Sequence, residues 1–180
     1  MTVPNILTVI RILLTPLLVW LLLDGRMSSA LCVFFVAGVT DGLDGFIART
    51  FNQKSRLGTY LDPLADKLLL DTTFILLAYL HIIPTWLTII VVSRDAIIVL
   101  GVFLFFLNHI YFEVKPSLAS KLTTLSQILT ALVALSSSLW NPHWFLLSFI
   151  FTVTAIFTIV SGLHYIYHGF RIWESERVED

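Results

Sequence analysis

The stretch Asp41–Asp66, DGLDGFIARTFNQKSRLGTYLDPLAD, puts four aspartates (Asp41, Asp44, Asp62 and Asp66) into sequence that is otherwise apolar enough to sit in a bilayer. An acidic side chain at the centre of a membrane helix costs about 2.5–3.5 kcal/mol on insertion scales, so each one needs a compensating partner. Asp41 and Asp44 are three apart and Asp62 and Asp66 four apart, so within a helix each pair projects from one face. Two acidic pairs that face each other repel unless cations lie between them. Ligands that are all oxygen favour hard divalent ions, Mg2+ or Mn2+, over zinc. The stretch therefore predicts a two-metal carboxylate site at a membrane surface.

The flanking sequence sets the fold class. Of 180 residues 57% are hydrophobic, and the mean hydropathy is +0.90, well above an ordinary soluble domain. A net charge of -1 gives no overall field for nucleic acid, and the single cysteine, Cys32, can form no intrachain disulfide. At roughly 20 apolar residues per crossing, the chain predicts six helices near 4–23, 29–50, 60–80, 84–107, 118–138 and 143–168. The first is long enough to span and is read as a transmembrane helix rather than a cleaved signal. Asp24-Gly25, Ile83-Pro84 and Asn141-Pro142 mark turns.

Basic residues orient the bundle. Arg49, Lys54, Arg56, Lys115, Lys121, Arg171 and Arg177 fall at one set of ends, against Arg26 alone at the other. Cytoplasmic loops carry the excess of Lys and Arg, so both termini are expected in the cytoplasm. Helices two and three then bring both aspartate pairs to one depth near that face. The expected fold is an all-α integral membrane protein of six transmembrane helices with an intramembrane polar cavity open to the cytoplasm. Residues 1–170 form its transmembrane domain and 171–180 a charged cytoplasmic tail. Trp86, Trp140 and Trp144 read as an outer aromatic belt, and the histidines as interfacial residues rather than zinc ligands.

On a helix, Gly45 and Ala48 fall within about 40° of Asp41, so the acidic face is lined with small residues that let something bulky approach. Arg49, about 80° round, is placed to clamp a phosphate. Written out, Asp41, Asp44, Gly45, Ala48, Arg49, Gly58, Asp62 and Asp66 spell D-x2-D-G-x2-A-R-x8-G-x3-D-x3-D. This pattern matches without a gap the signature of the CDP-alcohol phosphotransferase family. The opening PNILTVIRILLTPLLV, the DPLADK run and the six-helix length also resemble that family.

The resemblance implies an enzyme in which two divalent ions, Mg2+ or Mn2+, held by Asp41, Asp44, Asp62 and Asp66, bind the diphosphate of a CDP-linked lipid while an acceptor hydroxyl displaces CMP. Asp66 would double as general base. Asn5, Asp44, Gly45, Ala48, Arg49 and Gly58 would bind the nucleotide and diphosphate. For the acceptor, DPLADK and TAIFTIVSGLHYIYHG resemble the branch that uses CDP-diacylglycerol and glycerol 3-phosphate, whereas VVSRDAII and KPSLASKLTT resemble the cardiolipin synthases, which use phosphatidylglycerol. Glycerol 3-phosphate is favoured, with Arg94 and Lys121 as the cations for the acceptor phosphate; Arg94 and Asp95 also suit a buried ion pair. Arg11 is expected to face the polar cavity. The family tends to be dimeric, and a bacterial inner membrane is the expected location. A reading from another class, a divalent-cation transporter, needs carboxylates along a route open to both sides; four aspartates at one end argue against it.

Overall fold

The computed structural model describes residues 3–50, 56–107, 118–140 and 142–177, and side chains within 8–40, 65–101, 103–104, 118–140, 142–169 and 171. Among these residues the chain forms six helices: α1 (Val3–Leu23), α2 (Met27–Thr50), α3 (Arg56–Tyr79), α4 (Thr85–Leu107), α5 (Leu118–Trp140) and α6 (Trp144–Arg177). All six expected segments are helical, with ends shifted by a few residues. The largest shift is in α6, which runs on through the charged segment from Arg171 to Arg177. Its 34 residues span about 51 Å, well beyond a hydrocarbon core of about 30 Å.

Two of the turns are built the same way. Helix α1 ends where Gly25 takes a positive φ of 74°, with Arg26 N–H donating to the Leu21 carbonyl and Gly25 N–H to that of Leu22. This Schellman arrangement satisfies carbonyls that the helix end would otherwise leave open. Helix α3 repeats it with a histidine. His81 sits at φ 58°, Ile82 N–H reaches Leu77 and His81 N–H reaches Ala78, before Pro84 starts the approach to α4.

Polarity is inverted relative to a water-soluble bundle. Large apolar side chains such as Leu13, Phe103, Phe149 and Leu163 cover the outside, while Thr8, Arg11, Arg94, Asp95, Gln127 and Ser161 are buried. Helices α5 and α6 are long and apolar enough to cross a membrane by the segments Leu118–Trp140 and Trp144–Gly169. With the composition, this marks an integral membrane protein. Trp86, Trp140 and Trp144 are exposed next to the turns before α4 and α6, where an interfacial belt places them.

Helix α1 packs on both α2 and α3; α5 packs on α6, α2 and α3; α4 joins α3 to α6. The apolar core, including Leu18, Leu22, Phe34, Phe74, Leu77, Leu87 and Leu135, fills the half of the bundle nearer the short turns. Between α5 and α6 the contact is polar. Thr130 and Thr154 share a hydroxyl hydrogen bond of 2.7 Å, Gln127 donates to Thr158 at 3.4 Å, and Thr123 donates to the Phe157 carbonyl at 2.9 Å. Without a hydrophobic drive between helices in lipid, such bonds fix which faces meet.

Candidate active site

Helix α2 carries Asp41, Asp44, Gly45, Ala48 and Arg49 in its last turns, and α3 carries Gly58, Asp62 and Asp66 in its first half. The helical backbone gives each aspartate pair the shared face that its spacing requires. The side chains of Asp41, Asp44, Ala48, Arg49 and Asp62 lie outside the described residues, as does that of Asn5 in the first turn of α1. Asp66 is described. It is ion-paired with Arg11 of α1, whose side chain is only 1% exposed while that of Asp66 is 36% exposed.

That pair belongs to a charged layer that crosses the bundle at one depth. Arg11 precedes the end of α1 at Leu23 by twelve residues and Asp66 precedes the end of α3 at Tyr79 by thirteen, so both lie about 18–20 Å from those ends. Lys67, next to Asp66, points about 100° away and reaches α4, where its Nζ is 2.7 Å from Asp95 Oδ1. The same oxygen accepts from Arg94 Nη1 at 2.5 Å. Arg94 Nη2 donates to Ser120 of α5 at 3.1 Å and to Ser161 of α6 at 2.8 Å, and the guanidinium lies 5.6 Å from the Tyr165 ring centre. Gly162 of α6 lies against its aliphatic stem, where a Cβ would stand 3.4 Å from Arg94 Cγ, an ordinary van der Waals contact. Asp71, one turn after Lys67, lies near Asp95, Lys67 and Arg94.

Arg94 and Asp95 thus do form the buried ion pair that their sequence suits, and Lys67 joins it. Arg94 Nε is buried without a hydrogen-bond acceptor, and Asp71 Oδ1 without a donor, among the described residues. Lys121 lies one position past Ser120 and is exposed. It borders a shallow, open groove on the surface of α5 with Ser120, Thr124, Leu125 and Ile128. The groove is polar at the end near the charged layer and apolar toward the middle of α5. Arg94 and Lys121 are therefore brought to one neighbourhood by Ser120, which touches the first and borders the second.

Sequence spacing misses two features here. Lys67 and Asp95 are 28 positions apart, and no local pattern pairs them. Ser120, Ser161 and Tyr165 look like ordinary helix residues until Arg94 is placed among them. His164 and His168 do have a four-residue helical spacing, with ring centres 5.9 Å apart. Two imidazoles alone fall short of the three protein ligands of a zinc site. Among the described residues no three His, Cys, Asp or Glu side chains converge. The motif's donor set is nevertheless all carboxylate oxygen, which suits Mg2+ or Mn2+.

Residues 1–162 match the family model for CDP-alcohol phosphatidyltransferase. The cardiolipin synthases (CMP-forming) of Rattus norvegicus and Homo sapiens are 37% and 36% identical to the chain, each over 93% of its length. The chain spans only 61% and 62% of those two proteins. The CDP-diacylglycerol–glycerol-3-phosphate 3-phosphatidyltransferase of Aquifex aeolicus is 33% identical over 96% of this chain and 98% of that protein. With its eight-position motif of four aspartates carried on two helices, the last of them within a charged layer that crosses the bundle, this chain belongs to the CDP-alcohol phosphatidyltransferase family.

Proposed function

We propose that the chain transfers the phosphatidyl group of CDP-diacylglycerol to a glycerol hydroxyl of phosphatidylglycerol, forming cardiolipin and CMP. The hydroxyl oxygen bonds to the phosphorus, the bond from phosphorus to the CMP oxygen breaks, and the hydroxyl proton leaves through Asp66. Asp41, Asp44, Asp62 and Asp66 would hold two divalent ions, whose chemistry is to neutralise charge on the attacking and leaving oxygens. Gly45, Ala48 and Gly58 would let the nucleotide approach closely, with Asn5 and Arg49 beside it. The fold would cross the membrane six times, with both termini and the polar cavity on the cytoplasmic side, in a bacterial inner membrane. Residues 1–170 would be the membrane domain and 171–180 its cytoplasmic tail.

The chemistry of the donor set is the observation that carries the metal reading. Asp41, Asp44, Asp62 and Asp66 offer carboxylate oxygens from two neighbouring helices, a set that suits Mg2+ or Mn2+. Carboxylates brought together in this way repel unless cations lie between them.

The choice of acceptor rests on the relatives: the two cardiolipin synthases are 37% and 36% identical over 93% of the chain, and this shifts the balance from the soluble acceptor that the sequence alone favours. The open face of α5 agrees with it, since a phospholipid could meet Lys121 and Ser120 with its phosphodiester and Leu125 and Ile128 with an acyl chain. Glycerol 3-phosphate stays as the second reading, supported by the full-length Aquifex relative and by Arg94 Nε, a buried donor that a phosphomonoester could use. The transporter reading finds no support among these relatives.

One experiment separates these readings. Purified protein in nanodiscs is supplied with CDP-diacylglycerol and Mn2+, plus phosphatidylglycerol or glycerol 3-phosphate, and the lipid product is identified by mass spectrometry. Cardiolipin with stoichiometric CMP is expected. Phosphatidylglycerophosphate would establish the second reading, and no acceptor-dependent CMP would exclude both.

A further inference from the structure

We propose that Arg11 is a placeholder cation for Asp66: it neutralises the carboxylate while no divalent ion is bound there, and turns to the anionic diphosphate of the lipid donor once an ion takes Asp66. The inference rests on the metal reading of Asp66 given above and concerns what the chain itself does around that site.

Arg11 is the lone formal charge among the side chains of α1, and Val9, Ile10, Ile12 and Leu13 on either side of it are exposed apolar residues. Arg11 itself is turned inward and almost fully buried, and it is ion-paired with Asp66. A guanidinium does not give up its proton in a protein, so a buried one needs an anion in every state of the cycle. Asp66 is in a different position. Its side chain is about one-third exposed, whereas that of Arg11 is almost fully buried. A divalent ion that arrives at Asp66 meets a fixed positive charge, and the two repel.

The planar fork of an arginine suits a phosphate as well as it suits a carboxylate. The family's substrate brings a diphosphate to the same four aspartates that hold the ions. Arg11 can therefore change partners without ever being left alone: Asp66 at rest, the diphosphate when ion and donor are both present. Two consequences follow. Arg11 lowers the resting affinity for the ion, and it makes ion and nucleotide binding mutually favourable, a coupling that must be reciprocal. A site tuned this way stays largely unloaded until its lipid substrate arrives, and Arg11 acts as a positioning residue rather than a catalytic one.

The test is an electron paramagnetic resonance titration of Mn2+ into the full-length protein in detergent, with and without CDP. Arg11→Gln is expected to bind Mn2+ on the order of tenfold more tightly than wild type in the absence of CDP, and to gain less affinity when CDP is added. Arg11→Lys keeps the charge but not the fork, so its resting affinity should stay within about threefold of wild type while the gain from CDP shrinks. In an Asp66→Asn background, Arg11→Gln should no longer tighten Mn2+ binding. If Arg11 only holds Asp66 in a ligand's geometry, Arg11→Gln and Arg11→Lys both weaken Mn2+ binding, and the proposal is overturned while the metal site stands. Should Arg11→Gln fail to fold, Arg11→Lys decides alone: a resting affinity weakened by tenfold or more overturns the proposal. Absence of Mn2+ binding by the wild type overturns the metal reading and this proposal together.

Discussion

Lys67 of α3 and Asp95 of α4 meet at 2.7 Å, while Asp66, the residue before Lys67, is paired with Arg11 of α1. Successive residues on a helix point about 100° apart. The DPLADK run therefore ties α3 to a helix on each side, and the candidate base is held in place through two neighbouring ion pairs rather than one. Asp95 is the more exposed to mutation of the two joints, because the same carboxylate oxygen serves both Lys67 and Arg94.

Asp95→Ala removes the anion from two cations at once, one of them almost fully buried. Breaking a buried pair by deleting one partner typically costs about 3–5 kcal/mol. The variant should show that order of loss in thermal or denaturant unfolding in detergent. Lys67→Met should cost far less, since Asp95 keeps Arg94 and the Lys67 side chain is partly exposed. Equal losses in the two variants would mean that Asp95 does not act as the shared anion.

Asp66→Asn keeps the size of the side chain and an oxygen for Arg11, but loses the charge that would hold an ion and accept a proton. CMP release should fall by at least about 10³-fold, more than the typical 10²–10⁴-fold contribution of a base alone can be trusted to show at its low end. Because almost fully buried Arg11 loses its charged partner, the variant should also lose up to about 3–5 kcal/mol of unfolding free energy in detergent, so activity is compared well below its own unfolding temperature. Excess EDTA should likewise stop CMP release from the wild type, with Mg2+ or Mn2+ restoring it. Turnover that persists in chelator would remove the ions from the account.

The two Schellman turns give a prediction that is independent of function. Gly25 and His81 occupy equivalent positions with φ of 74° and 58°. A left-handed conformation costs a residue with a Cβ roughly 1 kcal/mol that glycine avoids. His81→Gly should therefore stabilise the protein by about 0.5–1 kcal/mol, and Gly25→Ala should destabilise it by about 1 kcal/mol. Both are read from unfolding midpoints in the same detergent. A destabilised His81→Gly would show that the imidazole makes a contact worth more than the backbone relief.

Which parts of this arrangement can be read from sequence follows from how local they are. The six helices are legible because apolar runs near 20 residues and the breakers Gly25, Pro84 and Pro142 act over short distances. The motif is legible because eight positions on two helices keep fixed spacing. Arg11 is legible in part: a charge deep in an apolar helix must turn inward, but the sequence does not say to which aspartate. The Lys67–Asp95–Arg94 cluster is not legible, because its members come from α3 and α4 and find their remaining partners, Ser120 and Ser161, on α5 and α6. The His81 turn escapes for the opposite reason: it is local, but histidine is a rare choice where glycine is the usual signal.

Lys121 offers the sharpest probe of the acceptor. It borders the α5 groove at its polar end, with Leu125 and Ile128 four and seven positions further on and so on the same helical face. A phosphodiester held there would lose a charge-assisted contact in Lys121→Gln, a change of about 1.5–3 kcal/mol or roughly 10–100-fold in KM. That rise should appear for phosphatidylglycerol and not for CDP-diacylglycerol, with kcat little changed, because the contact is the same in the ground and transition states. Ile128→Trp keeps Lys121 and fills the apolar end, so it should raise KM for phosphatidylglycerol with long acyl chains more than for a short-chain analogue. If Lys121→Gln raises KM but Ile128→Trp does not distinguish chain lengths, the groove binds the headgroup alone, and its apolar half has no part in choosing the acceptor.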